Sequence, residues 1–138
     1  MDTRIRRDKL RINQLSERAF QWYLGYLNTI DDNDIKSYSS YLSDECTLVI
    51  NNNLPVNEKD QIIKHLTSLW TSFKGNAHDL LNIYGSDSSF SSEITNHFTL
   101  HDGNEITINA VGYLDRNEEG LLTSVRLYAD FSPLFSKM

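Results

Sequence analysis

The chain has 138 residues, of which 39% are hydrophobic and 23% are charged, and its formal net charge is −6. This length fits one domain spanning residues 1–138, and no apolar run approaches the roughly 20 residues that a membrane span requires. The acidic balance argues against nucleic acid as a partner, because phosphate binding needs a basic surface. We expect no signal peptide and no membrane partner, and the single cysteine, Cys46, fits a cytoplasmic location.

The first elements are a charged N-terminal arm and two helices. The arm, residues 1–11, carries five Arg or Lys residues and two Asp residues, a net charge of +3. We interpret it as a solvated helix start or frayed tail, with a basic surface for a membrane or an acidic partner as the alternative. Apolar residues at helical spacing then predict a helix over about residues 12–30. The run "DDND" ends it, and Asp32 or Asn33 can cap a second helix that continues to about residue 42.

A buried strand and a third helix follow. The apolar, β-branched run "CTLVI" predicts a strand over residues 46–50. After the loop "NNNLP", Asn57 is the predicted N-cap of a helix whose apolar face ends at Phe73. Gly75 suits the left-handed conformation that often follows a last helical turn.

From Ala77 onward the hydrophobic period changes to two, which indicates strands. We predict four of them, over residues 78–84, 89–100, 105–114 and 121–131. Their short, turn-rich connections favour antiparallel hairpins. The element order therefore predicts an α+β fold in which helices cover one face of a curved antiparallel sheet.

Two stretches resemble a known superfamily. In "QWYLGYLNTIDDNDIKSYSSYLSDECTLVI" a long helix and a short one precede the first strand, and "VRLYADFSPLF" stands near the end of the chain. With these stretches the chain resembles the nuclear transport factor 2-like (NTF2-like) superfamily, and within it the SnoaL-like group, over about residues 14–135. The resemblance implies a cone-shaped curved antiparallel sheet with the N-terminal helices packed on its concave face, the NTF2-like or cystatin-like fold. It also implies an apolar cavity between sheet and helices, and a homodimer formed through the outer face of the sheet.

The functions that the resemblance implies fall into two classes. The superfamily includes ketosteroid isomerase, scytalone dehydratase, limonene-epoxide hydrolase and polyketide cyclases, besides non-catalytic transport and scaffold proteins. The chain is therefore expected to be either a cofactorless isomerase, cyclase or dehydratase for a small hydrophobic molecule, or a non-catalytic dimeric binding or scaffold module. Two catalytic patterns of the superfamily are incomplete here. The isomerase base falls at about Ile50 or Asn51 and its acid at about Ala110, and the last-strand aspartate of the epoxide hydrolase matches Leu127.

Strand alternation predicts which side chains of the last strand face the helices. The more apolar set contains Thr123, Val125 and Leu127, so we expect these three to face inward. Asp130 then falls on the outer face together with Arg126. Because these two residues are about 13 Å apart along one strand, they cannot pair within it, although they could pair across a two-fold sheet interface.

Small residues at inward positions of the sheet, among them Ala110, Gly112 and Ala129, leave room for a ligand cavity. The alternative is that large aromatic side chains of the helices fill this room. Those side chains are Trp22, Trp70 and Phe73. The predicted ligand-binding residues are Tyr23, Trp70, Phe90, Ile94, Asn96, Ile108, Ala110, Val125 and Leu127.

Few polar side chains are predicted to face this cavity. Tyr23 and Asn96 are expected to orient a carbonyl-bearing ligand, and Tyr23 and His78 are the candidate catalytic residues, with His78 as an acid–base group. The alternative is a structural histidine and a Tyr23 hydroxyl bonded to the backbone. His97 and His101 lie about 13 Å apart on an extended strand, too far to share an ion, and we predict no metal and no cofactor.

Overall fold

The computed structural model describes residues 5–135. Its elements in chain order are β1 (Ile5–Arg6), β2 (Ile12–Asn13), α1 (Glu17–Asp31), α2 (Ile35–Ser39), β3 (Leu42–Ile50), β4 (Val56–Asn57), α3 (Lys59–Trp70), β5 (Gly75–Ser86), β6 (Ser89–Thr99), β7 (Glu105–Arg116), β8 (Leu122–Ala129) and α4 (Ser132–Phe135). The strands form one curved sheet in the order β1-β5-β6-β7-β8-β3-β4, and β2 also pairs with β5. The predicted α+β class is therefore confirmed. None of the described helices is long and apolar enough to cross a membrane.

The sheet is mixed rather than wholly antiparallel. Strands β5 to β8 pair consecutively and antiparallel, as their short connections predict. However, β1 and β2 lie parallel to β5, and β3 lies parallel to β8. Parallel neighbours need long crossover connections, and each of these pairs is separated in sequence by helices. The antiparallel prediction was wrong at these positions because it rested on hairpin lengths alone.

The start of α1 is fixed by a cap that the helical pattern did not reveal. The helix begins at Glu17 rather than near residue 12, because the residues before it form β2. Ser16 Oγ accepts a hydrogen bond from the Ala19 N–H at 3.1 Å and donates one to the Asp87 carboxylate at 2.6 Å. The hydrogen bonds from Ser16 lower the pKa of Asp87. The turn between β5 and β6 therefore anchors the first turn of α1.

The entry and exit of α3 also differ from the prediction. The N-cap is Glu58, with φ of 74° and no side-chain capping bond, whereas Asn57 pairs with β3 as part of β4. Gly75 does not end the helix in a left-handed conformation but begins β5. The chain enters the sheet at once, since the Lys74 N–H already donates to the Thr99 carbonyl at 2.8 Å.

A β-bulge changes which side chains of β8 face the helices. Thr123 is exposed, whereas Leu122 is fully buried and Val125 is buried. The β7–β8 register shifts between Asp115 and Arg116. The shift leaves one extra residue in β8, so Leu122 and Val125 face the same side although three positions separate them.

The described part of the N-terminal arm is tied to the sheet. β1 pairs with β5, and the Arg6 guanidinium hydrogen-bonds the Asp79 carboxylate, which also contacts His97 Nε2 at 2.9 Å. Residues 5 and 6 are therefore not a frayed tail, and residues 1–4 of the arm lie outside the described residues. Burial by itself raises the pKa of Asp79, but the hydrogen bonds with Arg6 and His97 outweigh burial, and the pKa lies below its ordinary value.

We expect Asp79→Asn to lower the free energy of unfolding at pH 7 by about 1–2 kcal/mol, because an amide loses the charge-assisted bonds of the carboxylate. A carboxyl group with a depressed folded-state pKa stabilises fully above its unfolded pKa of about 3.9, and that stabilisation is lost as the pH falls through the folded value. The deficit of the variant should therefore shrink below about pH 4.

Urea unfolding between about pH 7 and pH 2.5 measures this dependence. Asp44→Asn, which changes an exposed carboxylate on β3, is the control and should have little effect at any pH. A deficit of Asp79→Asn that stays constant over the whole pH range would contradict the assignment.

Candidate functional site

A cavity of about 560 Å³ lies between the helices and the concave face of the sheet. Most of its wall is apolar, and its aromatic members are Tyr23, Tyr26, Tyr38, Trp70, Phe73, Phe98 and Phe131. Exposed polar residues line its opening, namely Asn53, His65, Asp130 and Ser132. Asn53 and the pair Asp130 and Ser132 come together because β3 and β8 run parallel, so the segments that follow the two strands lie at the same edge of the sheet, while His65 comes from α3. Of the three aromatic side chains that could fill this space, Trp70 and Phe73 form part of the cavity wall, and Trp22 does not line it.

Most of the residues predicted for this site line the cavity. They are Tyr23, Trp70, His78, Ile94, Asn96, Val125 and Leu127. The other three, Phe90, Ile108 and Ala110, are buried away from the cavity in the packed core. Phe90 packs edge-on against Tyr23 with ring centroids 5.1 Å apart, and Ile108 belongs to a second cluster with Leu134 of α4. Strand parity correctly places these side chains inward, but it does not separate cavity wall from packed core.

The cavity wall contains a buried carboxylate–imidazole pair. Asp31, the last residue of α1, and His78, on β5, approach with Oδ1 and Nδ1 2.7 Å apart, and their side chains are 0% and 3% exposed. Because Nδ1 faces a carboxylate, the ring proton is held on Nδ1 and the lone pair is left on Nε2. No described residue hydrogen-bonds Nε2 of His78. Nε2 is therefore the ring nitrogen that can exchange a proton with a molecule in the cavity.

Asp31 was missed in the sequence because "DDND" was interpreted only as a helix break. A signal was present, however. Asp31 follows Ala19, Tyr23 and Leu27 at a constant spacing of four residues, which places it on the buried face of α1. A carboxylate on the buried stripe of a helix requires a polar partner, and His78 supplies it.

The tyrosine hydroxyls of the site stay protonated near neutral pH. Burial raises the pKa of Tyr23, Tyr26 and Tyr38 well above its usual range. The hydroxyls of Tyr26 and Tyr38 lie 3.3 Å apart and hydrogen-bond each other. The Ser92 side chain interacts with the Tyr23 hydroxyl and offsets part of the rise in its pKa, and Tyr23 and Asn96 line the same cavity. The tyrosines are therefore suited to hydrogen bonding and electrostatic stabilisation rather than to nucleophilic attack.

The remaining histidines of the strand-and-turn segment lie apart from this pair. His97, on the outer face, contacts Asp79, and His101 Nε2 contacts the Thr71 carbonyl oxygen at 2.7 Å. Among the described residues no group of three or more His, Cys, Asp or Glu side chains is placed to hold a metal ion. His78 is therefore the buried histidine of the described cavity wall, whereas His65 is exposed at the opening.

No protein-family model and no curated protein matches the chain. Solved structures do match. A candidate SnoaL-like polyketide cyclase from Shewanella denitrificans OS-217 aligns with a TM-score of 0.75 and 14% identity, covering 88% of this chain and 96% of that one. An NTF2-like protein of unknown function from Burkholderia pseudomallei aligns at 0.75 with 11% identity, covering 88% and 97%. An LEH-like epoxide hydrolase from M. tuberculosis aligns at 0.69 with 16% identity, covering 86% and 85%.

The chain has the NTF2-like fold. This confirms the fold that the resemblance implies, with SnoaL-like structures among the similar proteins. The three similar structures are a candidate cyclase, an epoxide hydrolase and a protein of unknown function. The shared fold therefore does not indicate one activity. The function has to be argued from the cavity of this chain.

We expect Asp31→Asn and His78→Gln each to lower the free energy of unfolding by about 2–4 kcal/mol, because each change removes a close hydrogen bond between two buried groups. The double variant should lose less than the sum, with a coupling energy of about 1–3 kcal/mol. Urea unfolding of the four proteins at pH 7 gives this coupling. A matched cycle of His78→Gln with Asp44→Asn should be additive, and additivity in the Asp31 cycle would refute the energetic pairing.

Proposed function

We propose that the protein is an acid–base enzyme that acts on a small, mostly apolar molecule in the cavity, with His78 as the group that moves the proton. The observation that carries this proposal is the buried Asp31–His78 pair in the mainly apolar cavity wall. Nε2 of His78 makes no hydrogen bond with another described residue. Proton transfer next to a carbonyl group fits such a site, because it needs a base, a polar group for the oxygen and no cofactor. The reaction class is that of cofactorless isomerases, cyclases and dehydratases.

The roles of the residues follow from the geometry. Nε2 of His78 accepts a proton from the carbon next to the ligand's carbonyl, and the electron pair of the broken C–H bond moves into an enolate. The Asp31 carboxylate stabilises the imidazolium and holds its orientation. The protonated Tyr23 hydroxyl and the Asn96 amide are suited to donate hydrogen bonds to the enolate oxygen. With a β,γ-unsaturated ketone, return of the proton to the γ-carbon of the dienolate completes an isomerisation; with a β-hydroxy ketone, delivery of the proton to the hydroxyl group expels water and completes a dehydration.

The surroundings of His78 support this chemistry. The imidazole lies in a wall made mainly of aromatic and aliphatic side chains, where charge–charge interactions are stronger than in water. Asp31 comes from a helix and His78 from the middle of a strand, so both groups are held by rigid elements. A positioned base of this kind contributes about 10²–10⁴-fold to the rate of proton transfer.

We expect the protein to accelerate the exchange of the α-protons of 2-tetralone, an uncharged bicyclic ketone, with deuterium in D₂O. His78→Gln should reduce this exchange by about 10²–10⁴-fold, because glutamine fills the site but cannot act as a base. Proton NMR of the ketone follows the loss of signal. His101→Gln, which alters an exposed histidine, is the matched control and should keep the wild-type rate. Wild-type exchange no faster than in buffer, or equal rates for His78→Gln and wild type, would contradict the proposal.

A second candidate function, a non-catalytic dimeric binding or scaffold module, is favoured by the outer face of the sheet. Tyr113 and Tyr128 are 42% and 43% exposed there, and their rings meet edge to face at 6.0 Å. Arg126 lies over the Tyr113 ring at 5.6 Å. Exposed tyrosines beside an arginine are typical of protein interfaces. We therefore also propose that this face joins two copies of the chain.

The interface does not depend on a pairing of Arg126 with Asp130 of another copy, which the sequence left possible. Arg126 donates to Asp115 of its own chain at 3.0 Å. Asp130 is exposed at the opening of the cavity and accepts a hydrogen bond from the Ser132 N–H at 3.0 Å. This bond lowers the pKa of Asp130 and shapes the turn into α4. Asp130 thus ends β8 and begins the last helix.

We expect light scattering at micromolar concentration to give twice the chain mass of 15.9 kDa. Tyr113→Glu combined with Tyr128→Glu should shift the protein to monomers, because two buried carboxylates in a two-fold interface are strongly unfavourable. Leu54→Glu, at a residue that is 88% exposed in the loop between β3 and β4, should leave the mass unchanged. A wild-type monomer would rule out this interface.

A further inference from the structure

We propose that Asn76 and Asn96 are the specificity-determining residues of the cavity, and that its ligand is a neutral ring compound with hydroxyl groups on the edge that faces β5 and β6. This inference rests on the proposed function only in taking the cavity to be a ligand site. It does not require that His78 catalyses a reaction.

The two asparagines and His78 form one polar patch on the concave face of the sheet. Asn76 precedes His78 by two residues on β5, so both side chains lie on the same face, about 7 Å apart along the strand. Asn96 on β6 is the register partner of His78, which places their Cβ atoms about 5 Å apart. All three residues line the cavity. A ligand in contact with His78 therefore lies beside the side-chain amides of both Asn76 and Asn96.

The amide oxygens of these asparagines are buried, and no described residue hydrogen-bonds them. A buried polar atom without a partner costs about 1–3 kcal/mol, so a ligand that supplies the partner recovers this cost on binding. The asparagines near the opening differ. Asn51 Oδ1 accepts a bond from the Ala129 N–H at 2.9 Å, and Asn53 Nδ2 donates to the Ile50 carbonyl at 2.9 Å. Those two amides support the backbone, whereas the amide oxygens of Asn76 and Asn96 have no partner among the described residues.

The rest of the wall narrows the chemical class of the ligand. No described residue of the lining is Lys or Arg, so the cavity offers no cation to a carboxylate or phosphate, whose desolvation would be costly. An amide without a partner can rotate and present either its oxygen or its NH₂ group. A hydroxyl group can pair with either of these, since it both donates and accepts hydrogen bonds. The aromatic side chains opposite, including Tyr38, Trp70 and Phe73, suit a flat ring body.

The test compares 2,7-dihydroxynaphthalene with 2,7-dimethylnaphthalene, which have the same ring and substituents of similar size. Calorimetry or fluorescence titration gives the dissociation constant of each probe, and their ratio measures the preference for hydroxyl groups. Replacing an asparagine by leucine keeps the size but removes the amide. We expect Asn76→Leu and Asn96→Leu each to reduce the preference by about tenfold, because each removes one hydrogen-bonding partner.

Two controls separate recognition from structure. Asn109→Leu, on the outer face of β7, should leave the ratio unchanged. Thermal unfolding of the ligand-free proteins should show Asn76→Leu and Asn96→Leu to be at least as stable as wild type, since each removes an unsatisfied buried group. Loss of stability with an unchanged ratio would show that the amides are structural and would overturn the proposal. Failure of the wild-type protein to bind the diol would overturn the ligand class.

The outcomes also distinguish this inference from the proposed function. The same titrations in the His78→Gln protein should retain the sensitivity of the ratio to Asn76→Leu and Asn96→Leu. If that sensitivity is found while the wild-type protein exchanges no α-protons, the ligand class stands and the acid–base role fails. If α-proton exchange depends on His78 but neither asparagine variant changes the ratio of the dissociation constants, the acid–base role stands and the present inference fails.

Discussion

The hydrogen bond between Asp31 and His78 is the constraint that joins the helical layer to the sheet at the cavity. A carboxylate at the C-terminal end of a helix is unfavourable, because the helix dipole is negative there. Burial adds a desolvation cost that the charge recovers only through a close partner. Helix stability alone therefore does not explain Asp31. The end of α1 is held where the carboxylate meets His78, and the chain turns away at once through Asn33, whose φ is 54°.

Strand β5 carries polar interactions on both of its faces, and the two depend on each other. His78 points into the cavity, while its neighbour Asp79 points outward to Arg6 and His97. A slip of one residue would exchange the faces, placing Asp79 in the cavity and His78 on the surface. The outer contacts thus help to fix the register that aims His78 at Asp31. The short strand β1, which looks peripheral in the sequence, contributes to the geometry of the site through this register.

The sequence predicts the layers of this fold better than its details, for physical reasons that differ from residue to residue. Periodicity identifies the long elements and the inward faces of β6 and β7, because burial of one face imposes it. It does not reveal β1 or β2, since two residues cannot show a period, or the bulge that exposes Thr123. Ile94 and Ile108 have the same inward parity, yet only Ile94 lines the cavity, because Ile108 is packed against Leu134 of α4. That difference depends on a distant segment.

The cavity leaves apolar surface unpacked and amides unpaired, so the stability of the protein has to come from elsewhere. An aromatic cluster at the back of α1 provides part of it. Trp22 stacks on Tyr26 and meets Tyr41 edge to face, and the Arg116 guanidinium lies over the Trp22 ring, 4.1 Å from its centroid. A second packed cluster consists of Phe73, Phe98, Leu100, Ile108 and Leu134. Side chains around the cavity are thus closely packed, whereas the cavity itself has unpacked apolar surface and amide oxygens without a partner among the described residues. This contrast is expected at a site where a ligand completes the contacts.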